Sequence, residues 1–326
     1  MLAPRGPAPQ RSTVRGSGRA GVVYVSTVLT STIHWDRLAN IDWDRLALLG
    51  CLTVGIIVGV FQAIGAVADP YDARIYWQVD FTNMYPRWYG GYVYPPPFVL
   101  LLAPIHPLGW AVFITAFTTA TWAAFWYCAR AFAPLVIGAS FLLVPLLGGN
   151  VVGYLFIGNI QFILAAAIVA SIRLSAAWSV LPLLTKLVPV PLIWYAIRRE
   201  WRNLGIGIGL TAAIVAITFA LAPNTWFDFY RFVTTNPIAS SPVPLVPIAY
   251  PIRLVAAVLL TAWGGLTDRR WTVPIAAGLA IPALYQWSFL PFWVAVIGIE
   301  WPSGSRQDQP TAVETSDGRT MRAPSS

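Results

Sequence analysis

Along this chain the charged residues gather into short clusters, and the intervals between them are apolar for long enough to be read as membrane spans. From Leu46 to Ala66 there are 21 consecutive residues without a charge. As a helix they run about 31 Å and cross the hydrocarbon core of a bilayer. Further apolar stretches cover 95–105, 108–128, 131–147, 153–172, 175–196, 203–222, 247–264, 272–287 and 288–300, and the pattern predicts about nine or ten spans. The stretch 95–105 is short for a crossing, and Pro104 is expected to bend its end.

The two ends read differently. Residues 1–22 interleave Arg5, Arg11, Arg15 and Arg19 with Pro, Gly and Ser and have no apolar core, as expected of a disordered basic tail rather than a signal peptide. The stretch "HWDRLANIDWDRLALL" repeats Trp-Asp-Arg at 35–37 and 43–45. It predicts an amphipathic helix on the membrane surface, its tryptophans at headgroup level. From Trp301 the chain turns to Ser, Asp, Arg, Gln and Pro and is expected to be a disordered cytoplasmic tail. The organisation is therefore 1–45 basic tail and surface helix, 46–300 transmembrane domain, and 301–326 tail.

Composition agrees with the pattern. Hydrophobic residues make up 57% and charged residues 10%, with a mean hydropathy of +0.64, whereas soluble domains carry about 25% charged residues. The fold class is all-α: a polytopic transmembrane helical bundle with an interfacial helix in the first outer loop. The net charge of +8 sits at the ends and in two short loops, "RREWR" at 198–202 and "DRR" at 268–270. That distribution reads as a topology signal and gives no face for a nucleic acid. With the N-terminal tail cytoplasmic and every stretch crossing, 95–105 included, both basic loops fall inside and His106 with them. Two long segments, 67–93 and 223–246, fall outside, in a protein expected in the plasma membrane. Cys51 and Cys128 lie in apolar runs without the spacing of a disulfide framework or a zinc site.

Candidate chemistry begins in the first outer segment, at "YDARIYWQVD". Asp69 before Pro70 suits a helix N-cap. Asp72, Tyr76 and Asp80 then fall at i, i+4 and i+8, on one face of a short helix. Asp72 is either an acid favouring the helix dipole or a catalytic group; spacing alone leaves both open. Lys186, the single lysine of the chain, lies within a predicted span, where a charge needs a partner or a wet cavity. Pro182, Pro189 and Pro191 are positioned to break that helix, and a lysine is suited to a phosphate. Arg231 and Arg253 are further phosphate candidates, with a surface pair to Asp228 and an interfacial anchor as their plainer readings. Asn159 and Gln161 could hydrogen-bond sugar hydroxyls, although polar side chains more often join membrane helices. Asp69, Asp72 and Asp80 spread over more than two helical turns, so a divalent metal is possible but not compelled and no cofactor is expected.

The continuation, "MYPRWYGGYVYPPPFVLLLAPIHPLGW", has Tyr92, Tyr94 and the run Pro95 to Pro97 at the mouth of a membrane helix. With Asp72 and Tyr76 before it, it resembles the opening of the bacterial mannosyltransferases of glycosyltransferase family 87, in the GT-C superfamily. "GNIQFILAAAIVASIR" and "LLTKLVPVPLIWYAIRREWR" are similar to the family's later stretches in order and spacing. The likeness covers about 46–300 and departs in having no histidine after His106. It implies an inverting transfer of a sugar, usually mannose, from a polyprenyl monophosphate carrier to a lipid or glycan acceptor outside the membrane. On that likeness Asp72 takes the role of base, with Tyr76, Asp80, Tyr92, Tyr94, Asn159, Gln161, Lys186, Arg231 and Arg253 as substrate-binding candidates. A transporter or lipid flippase, or a noncatalytic scaffold, is the competing reading.

Overall fold

A computed structural model describes residues 42–80, 83–85, 92–132, 151–235, 248–282, 284 and 286–300. From Trp43 onward they form one unit, built of helices with no strand among the described residues. The helices are α1 (Trp43–Ala63), α2 (Tyr71–Trp77), α3 (Pro96–Leu102), α4 (Trp110–Ala129), α5 (Val151–Phe156), α6 (Gln161–Arg173), α7 (Val180–Lys186), α8 (Val190–Ile197), α9 (Trp201–Leu221), α10 (Pro223–Thr235), α11 (Tyr250–Thr267), α12 (Thr272–Leu279) and α13 (Leu290–Glu300). Four of them, α1, α4, α9 and α11, are long and apolar enough to cross a membrane. The expected span at 131–147 and the two tails lie almost wholly outside the described residues.

The second Trp-Asp-Arg does not belong to a separate surface helix. It forms the first turn of α1, where the Trp126 indole donates to the Asp44 carbonyl at 3.0 Å. Helices in lipid associate through close packing, and α1 meets α4 that way. A Cβ on Gly55 would lie 2.9 Å from the Cα of Thr119, and one on Gly59 2.6 Å from the Cα of Thr115. Ascending numbers on one helix thus meet descending numbers on the other, so the pair is antiparallel. Gln62 fastens the far end of α1: it accepts from the Thr118 hydroxyl at 2.7 Å and donates to the Phe156 carbonyl at 2.6 Å.

Two expected crossings come out differently. The stretch 95–105 does not span. It forms α3 and a 3₁₀ helix over Ala103–Leu108, about 22 Å in all, because Pro104 and Pro107 cannot continue the α-helical ladder. Trp77 of α2 stacks on His106, ring centroids 4.0 Å apart, and the Arg74 guanidinium sits 5.3 Å over Trp110. The described residues from the end of α1 to the start of α4 therefore stay on one face, His106 included.

The stretch 175–196 is not one span but a hairpin. A 3₁₀ turn at Ala176–Ser179 leads into α7, the chain reverses at Leu187–Pro189, and α8 returns. Leu187 adopts a left-handed conformation with φ of 54°, and its amide closes the turn onto the Leu183 carbonyl at 3.1 Å. The prolines at 189 and 191 force the restart. The hairpin restores the parity lost at 95–105, so both basic loops lie on the face where α4 ends at Arg130.

The larger apolar core joins α4, α6, α8, α12 and α13 around Phe125, Phe162 and Phe292, all fully buried. A second cluster, of Tyr76, Tyr92, Tyr94, Phe98, Phe113, Phe117, Ile160 and Leu164, pins α2 to α3, α4 and α6.

Candidate active site

The short helix α2 is tied to the turn between α5 and α6 by its backbone and by a side chain. Its N-terminal amide at Asp72 donates to the Ile157 carbonyl at 3.1 Å. Two residues further along that turn, the Asn159 amide donates to the Asp72 carboxylate at 2.6 Å. Between them Gly158 has a φ of +69°, and a Cβ there would lie 2.6 Å from the Cβ of Ala73. Only glycine allows this approach. The other end of the Asn159 amide accepts from the Gln161 backbone N–H at 2.9 Å, which caps α6. Asp69 does not cap α2 with its side chain; it pairs with Arg74 at 2.8 Å.

Lys186 ends α7 at the tip of the hairpin, its ammonium 5.1 Å over the ring of Tyr94. The Tyr94 and Tyr76 hydroxyls share a buried hydrogen bond of 3.0 Å. Asp72 and Lys186 are close enough to act on each other's charge without forming an ion pair. Among the described residues the ammonium has no hydrogen-bonded or ion-paired partner. Burial pushes the Asp72 carboxyl above the usual carboxylate range; the Asn159 hydrogen bond and the Lys186 charge act in the opposite direction. Burial also pushes the Tyr76 phenol well up, so it stays protonated.

Beside this cluster opens a cavity of about 360 Å³, lined by Tyr94, Lys186, Phe229, Val233, Tyr250 and Pro282 among others. Its walls are mostly apolar; Lys186, Thr185, Tyr94 and Tyr250 are the lining residues whose side chains carry polar atoms. Helix α10 supplies one wall, and Tyr85 packs on that helix through Phe229 and Phe232, with ring centroids 5.5 and 5.3 Å away.

The structure thus brings Asp72, Tyr76, Tyr94, Asn159 and Lys186 together, and the other candidates fall elsewhere. Asp80 lies beyond the end of α2, which stops at Trp77, because Val79 turns into the core and leaves Asp80 exposed. The Tyr92 hydroxyl donates to Pro95 at 3.0 Å and accepts from the Val99 amide at 3.1 Å, closing the proline-rich start of α3. Gln161 is fully buried, and neither end of its side-chain amide has a partner among the described residues. Arg231 is exposed and 3.9 Å from Asp228. Arg253 is buried and donates to four carbonyls, those of Ile248, Leu279, Ile281 and Pro282, at 2.6 to 3.1 Å. It holds the wall of the cavity, with four of its five N–H donors spent on backbone carbonyls.

The sequence offered Gly158 only as a glycine opening a helix in "GNIQ" and the 223–246 aromatics only as neighbours of Arg231; it did not show the approach to Ala73, the Ile157 carbonyl or the cavity wall. The "GN" pair at 158–159 was the available signal, since glycine before a polar cap marks a turn entering a helix. Nothing local marks Phe229, whose role comes from the way α10 folds back.

The model of glycosyltransferase family 87 matches residues 92–297, more than half of the chain. The matched stretch contains Tyr92, Tyr94, Asn159, Gln161 and Lys186 and begins after Asp72 and Tyr76. No curated protein and no solved structure matches the chain.

Proposed function

The chain belongs to glycosyltransferase family 87 and is a membrane glycosyltransferase, and we propose that it moves a sugar, mannose by preference, from a polyprenyl monophosphate carrier to a hydroxyl of a lipid or glycan acceptor. One observation carries this reading: an ammonium without a hydrogen-bonded or ion-paired partner among the described residues stands on the wall of an apolar cavity, beside a carboxylate fixed by Asn159. The cavity suits a prenyl chain. The ammonium suits the phosphate at its head. Membership of the family leaves the transporter and scaffold readings behind.

In the proposed reaction Asp72 takes the proton of the acceptor hydroxyl as its oxygen attacks the anomeric carbon. The bond from that carbon to the carrier phosphate breaks on the opposite face, and the configuration inverts. The phosphate leaves as a stable anion and needs no general acid, so one base and one cation suffice. Raising the Asp72 carboxyl by burial makes it a better proton acceptor once ionised, and Lys186 balances charge on the departing phosphate. The Gln161 amide, fully buried and without a partner among the described residues, does not line the cavity and has no part in this scheme. No resident cofactor is required by this scheme.

Arg45, Arg130, Arg173, Arg198, Arg199, Arg202, Arg269 and Arg270 sit at one end of the bundle. By the positive-inside rule that end is cytoplasmic, which makes the site extracytoplasmic in a plasma-membrane protein. The test is transfer of labelled mannose from polyprenyl-phosphate-mannose to membrane lipids, by wild type and Asp72→Asn at equal expression. Transfer lost in the variant supports the reading; equal transfer removes Asp72 from the mechanism.

A further inference from the structure

At the end of the bundle opposite the candidate active site is a second, polar cavity of about 120 Å³. We propose that it binds the phosphate of an anionic phospholipid, held by Arg173 and Arg270 where α6 ends and α9 begins. The 13 residues of α6 put it about 18 Å along the helix axis from Asn159, so it is not an extension of that site.

The charge around it is not balanced by protein acids. The cavity is lined by Arg173, Arg198, Arg270, Glu200 and Asn203, with Ser171 and Ser175. Glu200 is already engaged, accepting from Arg198 at 3.0 Å and Asn203 at 2.8 Å. Asp268 takes the other side of Arg198 at 2.6 Å, and Glu300 accepts from the Trp271 amide at 2.9 Å. Arg173 gives one donor to the Gly298 carbonyl at 2.6 Å, and its remaining donors have no partner among the described residues. The Arg270 side chain has none among them either. Arg130, whose Nε is buried without a partner among the described residues, and Arg270 both lie close enough to add their charge to that of Arg173. Two guanidinium groups with unspent donors on one small cavity, whose one lining acid is already engaged, are a site for an oxyanion.

Size and position choose the ligand. A volume of about 120 Å³ equals about four waters at roughly 30 Å³ each. It lies well below the roughly 300 Å³ at which pockets for drug-sized molecules begin. The cavity takes a phosphate group with its first waters, and the rest of a larger ligand must lie on the surface beside it. The cavity opens where helices end, at headgroup level, and next to it Leu174, Trp178 and Trp201 are exposed by 67%, 49% and 64%. Apolar and indole surface beside a basic pocket is what a lipid's acyl chains and glycerol would cover.

The experiment uses the full chain, purified in a neutral detergent after exposure to phosphatidylcholine mixed with phosphatidylglycerol, and reads the retained lipids by native mass spectrometry. Arg270→Gln is compared with Arg202→Gln, which removes the same charge from the same face at an exposed position outside the cavity. Wild type is expected to retain phosphatidylglycerol over phosphatidylcholine, Arg270→Gln to lose about fivefold of that preference, and Arg202→Gln to keep it. Equal losses in both variants would reduce the effect to general surface charge and overturn the site. No preference in wild type would overturn it as well. Inorganic phosphate forms a separate arm: if it alone raises the melting temperature of wild type but not of Arg270→Gln, the ligand is a soluble phosphate and the lipid assignment fails.

Discussion

Asn159 holds the candidate base, and removing its amide in two different ways separates its two bonds. Asn159→Ala loses the cap on Gln161 and the hydrogen bond to Asp72. An N-cap is worth about 1 kcal/mol and a hydrogen bond to a charged group about 1.5–3 kcal/mol, so up to about 4 kcal/mol of stability is at stake. Asn159→Asp keeps an acceptor for the cap but sets a second carboxyl against Asp72, where the amide nitrogen now sits at 2.6 Å. Two acids that close cannot both ionise, and the pair holds a proton. In the wild type, burial raises the Asp72 carboxyl while the Asn159 bond favours its charged form. Losing that bond removes a lowering influence, so in both variants the acidic limb of the rate profile moves to higher pH. Misplacement of the carboxylate is expected to cost about 10²-fold in rate for Asn159→Ala. The assay is transfer by purified variants across a pH series, with thermal melts alongside. An unmoved acidic limb and a wild-type rate in Asn159→Ala would refute the assignment of Asn159 as the group that positions Asp72.

Five more outcomes complete the set. Asp72→Asn is expected to abolish transfer without lowering the melting temperature at neutral pH. A carboxyl raised by burial destabilises the fold as pH climbs from the ordinary carboxylate range through its folded value, and the amide escapes that cost. Lys186→Gln should weaken productive use of the donor by roughly 10- to 150-fold, as kcat/KM for the carrier, the loss of about 1.5–3 kcal/mol of charge-assisted bonding. Gly158→Ala should destabilise by about 2 kcal/mol or more and abolish activity, since a left-handed φ costs roughly 1–2 kcal/mol before the contact with Ala73 is relieved; a melt equal to wild type would contradict the close approach. Arg253→Ala should lower stability by about 3 kcal/mol or more, four carbonyls losing their donor, whereas Arg231→Ala at an exposed pair should change it by under about 1 kcal/mol. Chelation with EDTA is expected to leave transfer unchanged.

The helical, membrane-embedded character was legible because composition and charge-free runs are properties of the chain alone. The breaks were partly legible: Pro182, Pro189 and Pro191 forecast an interruption near Lys186. What periodicity could not supply was direction. An apolar run broken by proline reads the same whether it continues across the bilayer or turns back, and only the stacking of Trp77 on His106 and the hairpin tip at Lys186 decide it. The site shows the same division. Asp72, Tyr76 and Lys186 were found because charge and phenol are conspicuous in an apolar chain. Asp80 was included on helical spacing that ends one turn too early. Arg253 was included on charge alone, although a buried guanidinium is more readily satisfied by carbonyls of a helix end, here the end of α12. Gly158 carries no chemistry of its own, so its importance emerges only when Ala73 stands beside it.

The central claim divides labour between Asp72 and Lys186, and donor binding measured apart from turnover tests it most directly. A labelled polyprenyl-phosphate sugar should bind Asp72→Asn as it binds wild type, with no product formed, and should bind Lys186→Gln at least tenfold more weakly. If Lys186→Gln binds the donor normally while Asp72→Asn does not, the roles assigned to the two residues are wrong.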